Sequence, residues 1–369
     1  MVKVKKHGVI LEPTGREFEN NGVLNPATIR VDDDVHMFYR AVQHGNHSTI
    51  GYARLDGPLK LAERAKQPLL TPKFKYEKQG MEDPRIVKIG DTYYMTYVAY
   101  DNKDAITALA TSKDLKKFRR HGIITSKMSY DRAEDWLHYS KLKEKYFWFA
   151  SYYKDIIAKD ALLRDKDVIL FPKKIRGRFA MLQRIIPDIQ YVSFRDFKDL
   201  TNEFWIRYMK RLRNYVILEP RYWHESRNIG GGCPPLETKK GWVLIYHAVE
   251  DSNRGKTYHA AAALLDKKDP RHVIGHLKKP LFSPTEDYEC KGVVGHVVFP
   301  TGIALFGKKD KKLYIYYGAA DKRIAVASLN LESLVNDMLK NGPRIEGYCK
   351  RHHKTKKRKH RKPGKKRKT

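Results

Sequence analysis

Residues 82–100 read "EDPRIVKIGDTYYMTYVAY". An acid pair and a proline open a short apolar run, a Gly-Asp turn follows, and a longer run of aromatic and β-branched residues comes next. Such residues fit a pleated, half-buried surface, and the Gly-Asp break between two runs marks a hairpin. Proline has no ladder N–H to give, so it is tolerated at the first residue of a strand. The stretch therefore predicts a proline-opened strand paired with a richer one.

The same unit recurs. First strands begin at "NPATIRV" (25–31), "EDPRIVKI" (82–89), "LFPKKIRG" (170–177), "GCPPLETK" (232–239) and "VFPTGIALF" (298–306). Second strands follow at "VHMFYRAV", "TYYMTYVAY", "RFAMLQRI", "GWVLIYHAV" and "LYIYYGAA", and small-residue third strands at "TIGYARL", "AITALATS", "DIQYVSF", "YHAAAALLD" and "RIAVASL". Pro26, Pro84, Pro172, Pro234 and Pro300 are spaced by 58, 88, 62 and 66 residues. Five copies of a meander predict an all-β fold, a five-bladed β-propeller in which each repeat buries its faces against its neighbours. Helical patterning is confined to 196–213, 331–340 and a short piece at "DRAEDWL"; residues 113–165 read as a loop-rich excursion. The expected organisation is one propeller domain over 1–345 and a disordered tail over 346–369.

The tail accounts for much of the charge. Residues 350–369 hold 13 Lys or Arg and no acid; subtracting these 13 from the net +32 leaves +19 for the rest. A segment with nothing apolar to bury is expected to stay unfolded and to bind polyanions weakly. Three scattered cysteines form neither a disulfide framework nor a zinc pattern. No apolar run is long enough to span a membrane, and the lysine-rich start has no apolar core of a signal peptide, so a cytoplasmic protein is expected.

In a propeller the innermost strands ring a channel, the natural ligand site. The residues before the five prolines are Asn25, Asp83, Phe171, Cys233 and Phe299. Only Asp83 among them is a carboxylic acid. The polar insertions of the second strands are Arg40, Arg184 and His247, with Asp101, Glu250 and Asp321 at the following turns. Taken singly these are a turn aspartate, ion-paired arginines and a core histidine, and Glu82 is a surface acid or a sugar hydrogen bonder. Their shared position at one end of repeated strands makes them a candidate site. The glycines of "IGGGCPP" precede no helix and make no nucleotide loop.

With "GMEDPRIVKIGDTYYMTYVAYD", "KDVILFPKKIRGRFAMLQR", "IGGGCPPLETKKGWVLIYHAV" and "GHVVFPTGIALFGKKDKKLYIYYGAAD" in this order, residues 20–335 resemble glycoside hydrolase family 130. That resemblance implies a five-bladed propeller that cleaves β-mannosides, using inorganic phosphate as nucleophile and releasing α-D-mannose 1-phosphate with inversion. It implies Asp83 as the general acid, acting through the mannosyl 3-hydroxyl, and Asn25, Arg40 and Asp321 as sugar-binding positions. Arg184, His247 and Tyr258 match the family's phosphate ligands. Lys166 stands where the family has an arginine, and Asn228 where it has a lysine, with Arg227 beside it. A phosphate nucleophile needs positioning and charge compensation rather than a protein base, which agrees with a single axial acid. No cofactor or metal is implied, and relatives make a homo-oligomer an option. The sugar in the +1 subsite and the linkage, β-1,4 or β-1,2, are left open.

Two other readings stay open. Loss of phosphate ligands leads to a β-mannoside hydrolase on the same scaffold. A non-enzymatic, nucleic-acid-binding propeller would use the basic tail, although the basic residues of the body are dispersed along the sequence.

Overall fold

Alternating apolar runs fold into antiparallel strands throughout the computed structural model, which describes residues 2–253 and 255–343. The tail expected from residue 346 lies outside the described residues. The order begins with β1 (Lys5–Leu11), then β2 (Gly22–Val31), β3 (Asp34–Gln43), β4 (His47–Asp56) and β5 (Lys60–Arg64). Next come β6 (Gly80–Ile89), β7 (Thr92–Tyr100), β8 (Ala105–Ser112) and β9 (Phe118–Ile123), then β10 (Lys166–Leu170), β11 (Phe179–Arg184), β12 (Ile189–Phe194) and β13 (Val216–Leu218). The last groups are β14 (Asn228–Gly231), β15 (Leu236–Glu237), β16 (Trp242–Ser252), β17 (Gly255–Leu265) and β18 (Val273–His276), and β19 (Val298–Phe306), β20 (Lys312–Ala319) and β21 (Arg323–Asn330). Five short helices, α1 (Tyr130–Tyr139), α2 (Glu144–Ile156), α3 (Asn202–Met209), α4 (Asp287–Cys290) and α5 (Leu331–Lys340), complete the all-β fold. None is long and apolar enough to cross a membrane.

The repeat is a four-stranded meander, one strand longer than the three read from sequence. Strands β2–β5 and β6–β9 form two, joined by the single parallel pair Ser48–Gly80. Strands β10–β13 form the third, and β14, β16, β17 and β18 the fourth with the short β15 on β16. The last, β19–β20–β21, takes its fourth strand from the other end of the chain: β1 pairs with β21 from Lys5–Ser328 to Leu11–Ile324.

A buried glutamate fixes four of these sheets in the same way. Each lies on a single helical turn ahead of a first strand, at Glu19, Glu77, Glu225 and Glu289. Each accepts the hydroxyl proton of a second-strand tyrosine: Tyr39 at 2.8 Å, Tyr97 at 2.6 Å, Tyr246 at 2.6 Å and Tyr317 at 2.7 Å. Burying a carboxylate is expensive unless it is paired. In three of the sheets the outermost strand supplies the counter-charge, from Arg64 on β5 (2.9 Å), Arg120 on β9 (2.6 Å) and Lys6 on β1 (2.5 Å). Lys6 thus gives the last sheet what Arg64 gives the first, and it comes from a strand more than 280 residues away.

Strands of different units also bond to one another. Arg85 on β6 donates to the Gly232 carbonyl (2.6 Å), next to β14. The Cys233 thiol donates to Gly302 of β19 (3.6 Å), and the Thr301 hydroxyl of β19 to Pro26 of β2 (2.8 Å). Asn25 of β2 donates to Asp83 of β6 (2.7 Å), and Thr96 on β7 to Val168 of β10 (2.7 Å).

Three readings need correction. Residues 113–165 are not loop-rich: they hold β9 and the helices α1 and α2. Six of the 13 residues of α2 are aromatic, which hides its polar face. The single helix expected over 196–213 is instead α3 flanked by two single 3₁₀ turns. None of the five prolines opens its strand: Pro26 and Pro84 are the fifth residues of β2 and β6, Pro300 is the third of β19, and Pro172 and Pro234 follow β10 and β14.

Candidate active site

The site begins with three β-bulges. On β2 the pairing skips from Leu24 to Ala27, on β6 from Glu82 to Arg85, and on β10 from Lys166 to Ile169. Each skip leaves one residue with positive φ: Asn25 (50°), Asp83 (48°) and Asp167 (62°). Asn and Asp tolerate this left-handed backbone better than other non-glycine residues, and a bulge re-aims the side chain it carries. The third-repeat equivalent of Asp83 is therefore Asp167, not Phe171. Asp83 is not the only carboxylic acid at these positions.

Asp83 is held from two sides. Asn25 donates to its Oδ1, Oδ2 has no donor among the described residues, and the Arg85 guanidinium donates to its backbone carbonyl at 2.9 Å. Arg40 lies 3.9 Å from the same carboxylate and makes its closer ion pair with Glu82, at 2.8 Å. Lys166 approaches the other Glu82 oxygen at 3.1 Å. Glu82 is no surface acid: it is 3% exposed. Burial alone would raise its pKa, but Arg40 and Lys166 outweigh that and hold it below the usual range. It anchors both cations beside Asp83.

Asp321 completes this end. It sits at the β20–β21 turn with φ 49°. Burial pushes its pKa up to about 6, with Arg40 opposing and Asp83 adding to the rise. Gly318 makes room here, because a Cβ on it would stand 2.2 Å from Asn25 Oδ1.

A second cluster adjoins the first. Arg184 at the end of β11 pairs with Asp167 at 2.9 Å, and Arg85 and His247 lie 3.7 and 3.8 Å from that carboxylate. The two guanidinium groups, Arg184 foremost, outweigh the opposing effect of burial and keep the Asp167 pKa low. His247 is fully buried with Arg184 Nη1 3.5 Å from Nε2, and its ring stacks on Phe299 at 4.4 Å. Burial drives its pKa down to about 3, so the ring is neutral at pH 7. A Cβ on Gly230 would fall 2.3 Å from His247 Cε1 and 2.9 Å from Arg184 Cδ, which is the role of the glycine run at 230–232.

Tyr258 and Asn228 lie in one cross-strand row, both opposite Val249. Side chains in such a row share a face, so both stand beside His247 and Gly230. Burial raises the Tyr258 hydroxyl to about 12, keeping it a donor. Asn228 is 3% exposed and brings no charge. Arg227 does not replace the missing one: it bonds Asp251 at 3.1 Å and lies over Trp148, Phe149 and Tyr152 of α2.

Sequence reasoning missed two further residues. Arg164, two positions before Lys166, lies 5.4 Å over the ring of Tyr153 on α2. Its charge acts on Glu82, while Tyr153 acts on both Arg184 and Tyr258, so the pair stands between the two clusters. The excursion at 113–165 is what brings Tyr153 there. In contrast, Asp101 and Glu250 do not join the site. Asp101 caps its own turn by accepting from Lys103 and Asp104, and Glu250 pairs with His259. Among the described residues no group of His, Cys, Asp and Glu could hold a metal.

Six buried polar atoms of this region have no hydrogen-bond partner among the described residues: four on the basic side chains, Arg85 Nη2, Arg164 Nε, Arg184 Nε and His247 Nδ1, and two acceptors, Asn25 Oδ1 and Asp167 Oδ2. Buried donors are nearly always satisfied, so such a concentration marks a place where an acceptor binds. An anion with several oxygens fits it.

Comparison with known proteins gives a consistent picture. A family model described as beta-1,4-mannooligosaccharide phosphorylase, that of glycoside hydrolase family 130, matches residues 10–340. The 1,2-beta-oligomannan phosphorylase of Thermoanaerobacter sp. (strain X514) is 33% identical over 347 residues, spanning 90% of this chain and 99% of the relative. The beta-1,4-mannooligosaccharide phosphorylase of Ruminococcus albus is 33% identical over 175 residues, 47% of this chain and 50% of its own. The beta-1,2-mannobiose phosphorylase of Listeria innocua, solved with beta-1,2-mannobiose, superposes with a TM-score of 0.67 at 22% identity, over 91% of this chain and 99% of that one.

Proposed function

The chain belongs to glycoside hydrolase family 130, and on that premise we propose that it is a β-mannoside phosphorylase with Asp83 as its acid. The observation that carries phosphorolysis is the group of unpartnered buried donors on Arg85, Arg164, Arg184 and His247, beside Asp83. Phosphate gives these donors the oxygens they lack. Arg184, His247 and Tyr258 grip it, Arg164 adds a charge where Asn228 brings none, and Lys166 acts from its pair with Glu82.

The mannosyl unit lies against Asn25, Arg40, Asp83 and Asp321. A phosphate oxygen attacks its anomeric carbon as the glycosidic bond breaks, and the leaving oxygen takes up the proton given by Asp83. Asn25 occupies Oδ1, so Oδ2 is the atom that carries this proton. The product is α-D-mannose 1-phosphate, and solvent returns a proton to Asp83. Neutral His247 donates one N–H without the desolvation cost of a buried second cation. No other acid is asked to act as base, because the nucleophile arrives ionised.

The five sheets form a five-bladed propeller in this reading. Its support is the series of bonds from β6 to β14, β14 to β19, β19 to β2 and β2 to β6, together with β1 completing the last sheet. We take β-1,2-linked mannosides as the substrates, because the β-1,2 relative spans nearly its whole length in the match and the β-1,4 relative only half.

Product analysis on β-1,2- and β-1,4-mannobiose, with and without inorganic phosphate, tests this. Mannose 1-phosphate formed only with phosphate is the expected result, with β-1,2-mannobiose the better substrate. Asn228 favours one competing outcome: free mannose at equal rates in both tubes would replace phosphorolysis by hydrolysis.

A further inference from the structure

A further cavity of the molecule lies elsewhere and shares no residue with the site of Asp83. It measures about 500 Å³ and opens between β12, α3 and the segments around 175–178 and 268–271. We propose that it is a second binding site, for a small molecule carrying a phosphate ester on a ring.

Charge is the first argument. Seven of the 15 lining residues are Lys or Arg, more than twice the share in the whole chain, where 74 of 369 are basic. The single acid, Asp269, is taken by Arg271 through bonds of 2.8 and 2.6 Å. Arg178 is taken by Ser193, and Lys210 lies over Trp136. Arg176, Arg207, Arg211 and Lys268 remain, and among the described residues none has an acid within ion-pair distance. These four come from three segments of chain that are far apart in sequence. The dispersed basic residues of the sequence are, at this place, gathered by the fold. Like charges brought to one concave wall repel, and an anionic ligand relieves that repulsion.

The cavity wall is the second argument. Tyr208 stacks on Tyr215 at 4.4 Å and on Phe204 at 6.3 Å, and Tyr139 stands at the rim with 67% exposure. Aromatic faces beside cations accept a flat ring whose phosphate reaches the guanidinium groups. The volume suits a mononucleotide or a sugar phosphate, both within the usual range of small-molecule pockets. Both sources share the chemistry that the cavity recognises.

Calorimetric titration of the full-length protein with AMP, α-D-mannose 1-phosphate and inorganic phosphate tests the site. At least one of the two esters is expected to bind more tightly than phosphate, and the tighter of the two names the source. The double variant R207E/R211E should weaken that binding at least tenfold, about 1.4 kcal/mol, with kcat/KM on mannobiose unchanged. K268E, on a different segment, should do the same and guards against a local folding defect in α3. Ester affinity unchanged in both variants would place the binding in the tail or the active site and overturn the proposal. So would an affinity no better than that of inorganic phosphate.

Discussion

Replacing Asp321 by asparagine should make the protein more stable at pH 8 and hardly more stable at pH 4. Its pKa is raised from 3.8 to about 6 in the folded state, by burial first, with Arg40 opposing and the carboxylates of Asp83 and Glu82 adding. A carboxyl whose folded pKa lies above its unfolded value prefers its proton in the fold. The fold is therefore favoured below pH ~3.8, and that advantage is lost as pH rises through about 6. By pH 8 the difference of about 2 units, at 1.36 kcal/mol each, costs about 3 kcal/mol. At pH 4 the folded carboxyl is protonated and the same relation leaves about 0.5 kcal/mol. Asparagine keeps the shape and removes the charge. With an unfolding entropy of roughly 2.1 cal/mol/K per residue over some 340 residues, 3 kcal/mol corresponds to about 4 °C in Tm. Thermal unfolding at the two pH values measures it, and mannoside turnover should fall in the same variant. A Tm at pH 8 equal to or below that of the unmodified protein would refute the electrostatic reasoning. An equal gain at pH 4 would assign the effect to packing instead.

Asp83→Asn should keep the fold and lower kcat by about 10²–10⁴-fold, the scale of a lost general acid, with little change in substrate binding; steady-state kinetics with a thermal melt decides it. Gly230→Ala places a methyl 2.3 Å from His247 Cε1, so an overpacking cost of about 1–3 kcal/mol is expected. The KM for phosphate should rise far more than that for the mannoside. Arg164→Ala removes one charged donor, worth about 1.5–3 kcal/mol, and should raise the KM for phosphate roughly tenfold or more, with Arg164→Lys recovering part of it.

Much of the architecture is legible in the sequence because strand alternation is local. The all-β class, the number of units and the helix at 331–340 follow from it, as α5 confirms. The fourth strand of each unit escaped notice because outer strands are either polar, as in the almost wholly exposed β5, or too short to show alternation, as in β13 with three residues and β18 with four. The buried glutamates left a signal that went unread. Glu19, Glu77 and Glu289 each precede a glycine by three residues, at Gly22, Gly80 and Gly292, and Glu225 so precedes Asn228. Of the site, Asn25, Arg40, Asp83 and Asp321 converge at one end, and Arg184, His247 and Tyr258 at the other. Asp167 was missed because the proline was taken to mark the start of each first strand. The feature that the structure repeats is an Asn or Asp at positive φ, and in the third repeat valine stands where the other two have proline. Arg164 and Tyr153 had no local signal, since their place depends on how α1 and α2 fold back.

The bulges explain why chemistry is found at this end of the strands. A non-glycine residue at positive φ costs roughly 1–3 kcal/mol and persists only where its surroundings fix it. Here Asn25 fixes Asp83 across a sheet boundary, and Arg85 fixes the Asp83 carbonyl while reaching Gly232 of the fourth unit and approaching Asp167 of the third. The acid is thus positioned by three other sheets and not by its own strand alone. One buried guanidinium links the carbonyl of the proposed acid to the carboxylate that holds Arg184. A lysine could not replace it: its point charge would serve one of these partners, where the planar fork of Arg85 serves several at once. Sugar and phosphate ends are in this way set at a fixed separation, which is what an in-line attack by an external nucleophile requires.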